Sequence, residues 1–216
     1  VPPLIALLRG INVGRGRVVK MDWLRRQFED LGFSDVQTFI ASGNVVFGSR
    51  STNLAALERH LGAHLAQTLG YEVIVFIRTA EEMRRVAGFA PFPAGQPDPR
   101  LPDNVIFLAE PPDAAARRAV QALRSAMHDF RLQGREIYWR RSGDPGPFST
   151  APLEKALRKP FTIRTASTVR KLAAFCGSTR GERDAEAAVP VRAHDLGGGQ
   201  RRGARRPRRG HSGRDD

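Results

Sequence analysis

The chain opens on an apolar run, Leu4 to Leu8, closed by Arg9 and Gly10, the pattern of a strand buried on both faces. A helical period follows. Asp22 stands in a capping place, Trp23, Leu24, Phe28 and Leu31 recur at helical spacing, and Gly32 ends the repeat. Val36–Ile40 and Asn44–Phe47 are short β-prone runs whose connection, Ala41-Ser42-Gly43, reads as a tight hairpin. Beyond the candidate caps Thr52 and Asn53, Leu54, Leu57, Leu61, Leu65 and Leu69 form one helical stripe up to Gly70. Residues 71–78 are strand-like, and Thr79-Ala-Glu-Glu82 has the spacing of a capping box that starts a short helix to about Ala87.

Residues 91–102 hold five of the fifteen prolines, which deny them helix and central-strand structure and mark 90–102 as a Pro-rich linker. The order then repeats. Asn104–Ala109 reads as a strand, Asp113 caps a helix to about His128 carrying Val120, Leu123 and Met127, and Phe130–Leu132 pairs with Glu136–Trp139 around Gly134. A helix over about Pro152–Arg158, a strand Phe161–Arg164 and a helix Thr165–Phe175 ending at Gly177 complete the series. Strand, helix, strand, strand, helix, strand, met twice, predicts an α+β protein of two ferredoxin-like (βαββαβ) units side by side, 1–89 and 103–177. Seven identities in fourteen between residues 76–89 and 162–175, including Ile77-Arg78-Thr79-Ala80 against Ile163-Arg164-Thr165-Ala166, point to internal duplication. From 178 to 216 the only large aliphatics are Val189, Val191 and Leu196, so this Arg/Gly-rich tail is expected to be disordered.

Charge changes the picture in one respect. The net +13 suggests a polyanionic partner, but the tail carries part of it and nearly all the cations are Arg, a bias that codon usage also produces. Two local clusters remain: the loop from Arg9 to Lys20, and Lys155, Arg158, Lys159, Arg164, Arg170 and Lys171. The lone Cys176 excludes an intrachain disulfide, and the apolar start is too short for a membrane span and lacks the basic region of a signal peptide. A cytoplasmic protein without membrane attachment is the expectation.

The run Leu7-Leu8-Arg9-Gly10-Ile11-Asn12-Val13-Gly14, with Lys20-Met21, Leu31-Gly32-Phe33 and Ser42-Gly43-Asn44-Val45-Val46-Phe47, resembles the bacterial family called domain of unknown function 1697. The likeness continues more thinly through Asn104-Val-Ile-Phe-Leu108 and Glu136-Ile-Tyr138 to Arg164 and Thr168-Val-Arg-Lys-Leu172. It implies a pair of ferredoxin-like units and assigns no activity. Where the family shows Arg-Asn-Trp-Asn-Thr, this chain has Arg164-Thr-Ala-Ser-Thr168, so any contact made by that Trp and the two Asn is absent here.

In the first loop Gly10, Gly14 and Gly16 free backbone N–H groups beside Arg9, Arg15, Arg17 and Lys20, a composition suited to phosphate. It is not a P-loop, and no dinucleotide fingerprint follows the strand. Asn12, Ser42 and Asn44 are polar groups able to line the same edge, although Ser-Gly-Asn is also ordinary turn chemistry. Arg78 and Arg164 hold equivalent places at strand ends: either twin anion sites, or side chains that cap carbonyls and pair with local carboxylates. His60 and His64 stand four apart without a third ligand, so no metal and no cofactor is expected. The candidate ligand set is thus Arg9, Gly10, Asn12, Gly14, Lys20, Ser42, Asn44, Arg78 and Arg164, for a phosphorylated small molecule or nucleic acid. Two alternatives stand beside it: a small enzyme using Asn12, Ser42 and Asn44 in a cleft between the units, and a protein-interaction scaffold.

Overall fold

A computed structural model describes residues 1–12, 18–40, 43–92, 100–144 and 146–177. The 178–216 tail, Gly14, Ser42 and the middle of the Pro-rich linker lie outside the described residues.

The first half runs β1 (Pro3–Arg9), α1 (Met21–Asp30), β2 (Ser34–Thr38), β3 (Asn44–Gly48), α2 (Leu54–Leu69) and β4 (Ile74–Thr79), with α3 (Ala80–Gly88) following directly. The second runs β5 (Asn104–Leu108), α4 (Ala114–Gln121), β6 (His128–Gln133), β7 (Glu136–Arg141), α5 (Ala151–Leu157) and β8 (Phe161–Thr165), then α6 (Ala166–Gly177). The protein is a mixed α+β fold with two four-stranded antiparallel sheets, ordered β2-β3-β1-β4 and β6-β7-β5-β8.

Most local signals act as their chemistry requires. Asn53 accepts from Ala56 N–H at the start of α2. Thr79 and Glu82 close both bonds of the capping box. Three expectations are corrected. Lys20, not Asp22, occupies the cap of α1, and Asp22 falls inside the first turn, where its charge still suits the helix dipole. β2 starts two residues before Val36, and Asp35 there takes a left-handed φ of 51° beside a register shift. The helix from Asp113 ends at Gln121, because Ser125 Oγ accepts from Met127 and His128 N–H and Ser125 N–H donates to His128 O, turning the chain straight into β6.

The core is built in three apolar layers, and the central one joins the halves. Alternate residues of β1 face opposite ways. Leu4, Ala6 and Leu8 pack under Leu24 and Phe28 of α1 and Leu61 and Leu65 of α2. Ile5 and Leu7 join Met83 and Val86 of α3, Phe107 of β5, Tyr138 of β7, and Leu172 and Phe175 of α6 in a central layer that includes residues of both halves. Ile106, Leu108, Ile137 and Trp139 close on Val120 of α4 and Leu153 and Leu157 of α5. Both sheets are therefore covered on both faces.

Candidate functional site

Two connections cross at the end of β1. The first leaves through Arg9 and Gly10, whose φ of 93° and position 3.3 Å from Glu72 O, measured from where a Cβ would stand, make any side chain there strained and tightly packed. Asn12, itself at φ 54°, then closes the loop: its Oδ1 accepts from Val19 N–H at 2.6 Å and its Nδ2 donates to Val19 O at 3.2 Å. Lys20 follows, exposed, at the head of α1. The second connection joins β2 to β3. Ile40 takes φ 56°, costly for a β-branched residue, and Gly43 at φ 72° is wedged where a Cβ would lie 3.1 Å from Ile11 Cβ and 3.2 Å from Leu8 Cβ. Leu8 N–H donates to Gly43 O at 2.8 Å, and Asn44 Nδ2 to Phe39 O at 3.0 Å. The hairpin tip is thereby sewn to the loop root.

Arg164 braces this crossing from the second half. Its Nε donates to Asn44 Oδ1 at 2.6 Å, Nη1 to Thr162 Oγ1 and Ile163 O at 2.8 Å each, and Nη2 to Leu8 O at 3.1 Å and Gly43 O at 3.2 Å. All five guanidinium N–H groups are engaged, and among the described residues no carboxylate is a partner. Burial pushes the Arg164 pKa down to about 10.

Arg78 makes the reciprocal contact. It is wholly buried, with Nε donating to Glu136 Oε1 at 2.7 Å, Nη1 to Ile77 O at 2.9 Å and Nη2 to Leu108 O at 2.7 Å. The strand registers make these positions equivalent. Ile5 pairs with Arg78 as Val105 pairs with Arg164, and Leu7 pairs with Asn44 as Phe107 pairs with Glu136. Each arginine thus holds the end of the other half's first strand, and Glu136 stands where the first half has Asn44. Burial pushes the Arg78 pKa down, while Glu136 pulls it back up.

More acids gather at the Arg78 corner. Arg135 donates to Glu82 Oε1 at 2.7 Å and to Ile77 O at 3.3 Å, and Glu58 Oε1 accepts from Ile77 N–H at 2.6 Å. Together with the Thr79 N–H to Glu82 bond, these side chains cover the outer edge of β4, which would otherwise offer unpaired backbone groups. Burial raises the Glu58 pKa. It also pushes Glu82 up, but the Thr79 N–H and Arg135 outweigh that and hold Glu82 below the usual carboxylate range.

The structure therefore gathers Arg9, Gly10, Asn12, Asn44 and Arg164 at one corner, with Lys20 joined to it through the Asn12 to Val19 bonds, and sets Arg78 at the other. Arg9 crosses to the second half, its guanidinium carbon 5.5 Å from the Phe161 ring centroid and Nη2 3.6 Å from Glu154 Oε1. Glu136, Arg135, Glu82 and Glu58 were no part of the expected set. Glu82 alone carried a local signal, its capping-box spacing. Among the described residues no group of three or more His, Cys, Asp or Glu can hold a metal, and His64 Nε2 instead meets Gln27 Oε1 at 3.0 Å. No helix among them is long and apolar enough to cross a membrane.

The loop and hairpin that meet at this corner fall within residues 2–138, which match the family described as "Protein of unknown function (DUF1697)". The chain belongs to this family. Arg164, the brace of the DUF1697 loop crossing, comes from beyond the matched span. A solved structure titled "The structure of conserved bacterial protein SP0830 from Streptococcus pneumoniae" is similar to this DUF1697 chain at 25% identity and a TM-score of 0.61, covering 81% of this chain and 98% of that one. No curated protein matches it.

Proposed function

We propose that this DUF1697 protein is a binding module for a phosphorylated small molecule, held at the loop root by Arg9, the Gly10 backbone and Lys20. The observation that carries the reading is the charge difference between the corners: Arg78 has Glu136, whereas Arg164 has Asn44 in the same place. An uncompensated cation in a low-dielectric surrounding attracts an anion over several ångströms and keeps its own hydrogen bonds while doing so. Arg9 directly follows Leu8, whose carbonyl Arg164 holds. The Arg9 contact with Glu154 is long and its side chains are 39% and 50% exposed, so an arriving phosphate displaces it at little cost. Asn12 and Asn44 hold the backbone of the loop and the hairpin, which suits positioning better than chemistry.

A small molecule fits better than RNA read on a sheet. Modules of that kind stack bases on an open sheet face, and here each face of the first sheet is covered by core. We also read the halves as ferredoxin-like units derived by duplication, a reading supported by the equal strand orders, matching registers and reciprocal arginines.

Titration of the full chain with inorganic phosphate, sugar phosphates and nucleoside monophosphates, followed by thermal shift and calorimetry, tests the proposal. A saturable rise in Tm is expected, with affinity reduced about tenfold by Arg9→Ala and less by Lys20→Ala. Equal shifts in wild type and Arg9→Ala would sink it.

A further inference from the structure

The central layer opens into a cleft of about 380 Å³ between the end of α3, the start of β5, β7 and the start of α6, away from the loop root. That volume suits a small organic ligand. Its walls combine rings with a cation, Arg170, that has no ion pair among the described residues. Tyr138 is buried, its ring centroid 4.9 Å from that of the 41% exposed Phe89, and its hydroxyl donates to Val86 O at 3.3 Å. The Arg140 guanidinium carbon stands 4.6 Å from the Phe92 ring centroid. Asp103 fixes Arg140 with two bonds, 2.9 Å from Nε and 2.7 Å from Nη2, so that charge is already met. Arg170, on α6, also lines the cleft, is exposed, and forms no ion pair among the described residues. Ser167 stands one helical turn before it.

The related place in the first half provides an internal control. There a cleft of about 530 Å³ is lined by Pro3, Ser51, Thr52, Glu81, Arg84 and Cys176, with no ring among its described lining. Counting from the aligned Thr79 and Thr165, Arg84 corresponds to Arg170 and Glu81 to Ser167. Each cleft is lined by one carboxylate, Asp103 or Glu81, and by an exposed arginine, Arg170 or Arg84, with no ion pair among the described residues, since Glu81 faces Arg85; what differs is the rings. Among the described lining residues, aromatic rings and an arginine without an ion pair coincide in the first cleft and not in the second.

We propose that the cleft walled by Phe89, Phe92, Tyr138 and Arg170 is a binding site for a small planar aromatic acid, its ring on the phenyl groups and its acid group on Arg170 and Ser167. This site is separate from the loop root, and either can fail without the other.

The probe is 2-naphthoate, with neutral 2-naphthylmethanol as its control, titrated into the full chain and followed by ligand-observed NMR and fluorescence. Wild type is expected to bind 2-naphthoate at one site, with the alcohol about tenfold weaker. Arg170→Ala and Phe92→Ala are each expected to weaken the acid by about tenfold, while Arg84→Ala leaves it unchanged. Arg170→Lys retains part of the affinity, which separates loss of charge from loss of fold, and unchanged thermal melting confirms the fold of Arg170→Ala. Overturning results are no saturable binding by wild type, equal affinity for acid and alcohol, or Arg84→Ala and Arg170→Ala behaving alike.

Discussion

The Arg78 and Arg164 corners have the same backbone scaffold and opposite charge balance. In each, the guanidinium reaches across to a carbonyl near the end of the other half's first strand, Leu108 or Leu8, and takes a side-chain oxygen from the first residue of its third. At one corner that oxygen belongs to Glu136, and at the other to the neutral amide of Asn44. Hydrogen-bond satisfaction and charge neutralisation are separate requirements, and the second corner meets only the first. An amide oxygen fills the geometric role of the carboxylate and leaves a net positive charge under the first loop. The same contrast recurs one helical turn along, where Glu82 meets Arg135 and its counterpart Thr168 bonds Thr165.

The sharpest way to break this comparison is to remove each arginine. Arg78→Met strands the buried Glu136 charge and is expected to cost about 3–5 kcal/mol in equilibrium denaturation. Arg164→Met strands only neutral acceptors and should cost about 1–3 kcal/mol. A larger loss for Arg164→Met would refute the charge assignment. Next in size is Gly43→Ala, expected to destabilise by about 2 kcal/mol, since it combines a left-handed φ with Cβ contacts of 3.1 and 3.2 Å. Arg135, which occupies the corresponding place before Glu136, is not left-handed, so Arg135→Ala should act through its side-chain bonds to Glu82, Ile77 O and Ala109 O and not through backbone strain.

A smaller effect is read in acid. The folded-state pKa of Glu82 lies below its unfolded value, so its contribution is complete above the ordinary glutamate range and disappears as pH falls through the folded value. Glu82→Gln should therefore show a shallower acid limb than wild type. Glu58, raised by burial, acts with the opposite sign, so the measurement is the difference between variant and wild type. The finest test is Asn44→Asp, which gives Arg164 the carboxylate its counterpart already has. Stability should change by less than about 1 kcal/mol because the new pair offsets the lost bond to Phe39 O, while phosphate affinity falls several-fold by calorimetry.

Much of the fold was legible because its signals are local. The leucine stripe of α2, the Thr79 capping box and the apolar runs of β1, β5 and β8 place these elements within a residue or two. The failures also have local causes. Met127 repeats at helical spacing with Val120 and Leu123, yet it is 45% exposed, since three bonds involving Ser125 and His128 end the helix before it. For the candidate site the sequence supplied residue names but not their arrangement. Arg164 and Asn44 are 120 residues apart, and equivalence with Arg78 was visible as a repeat, but the acceptors of either arginine were not.

By itself the sequence determined the order of elements, the faces that turn inward and the identity of the family, because periodicity, caps and motif residues act over a few positions. Only the tertiary structure decided that both arginines point into the opposite half, that one meets a carboxylate and the other an amide, and that rings and the exposed Arg170 share one cleft. A side chain's partner depends on how distant layers dock, and packing the two sheets about a shared core brings together groups that no local pattern connects.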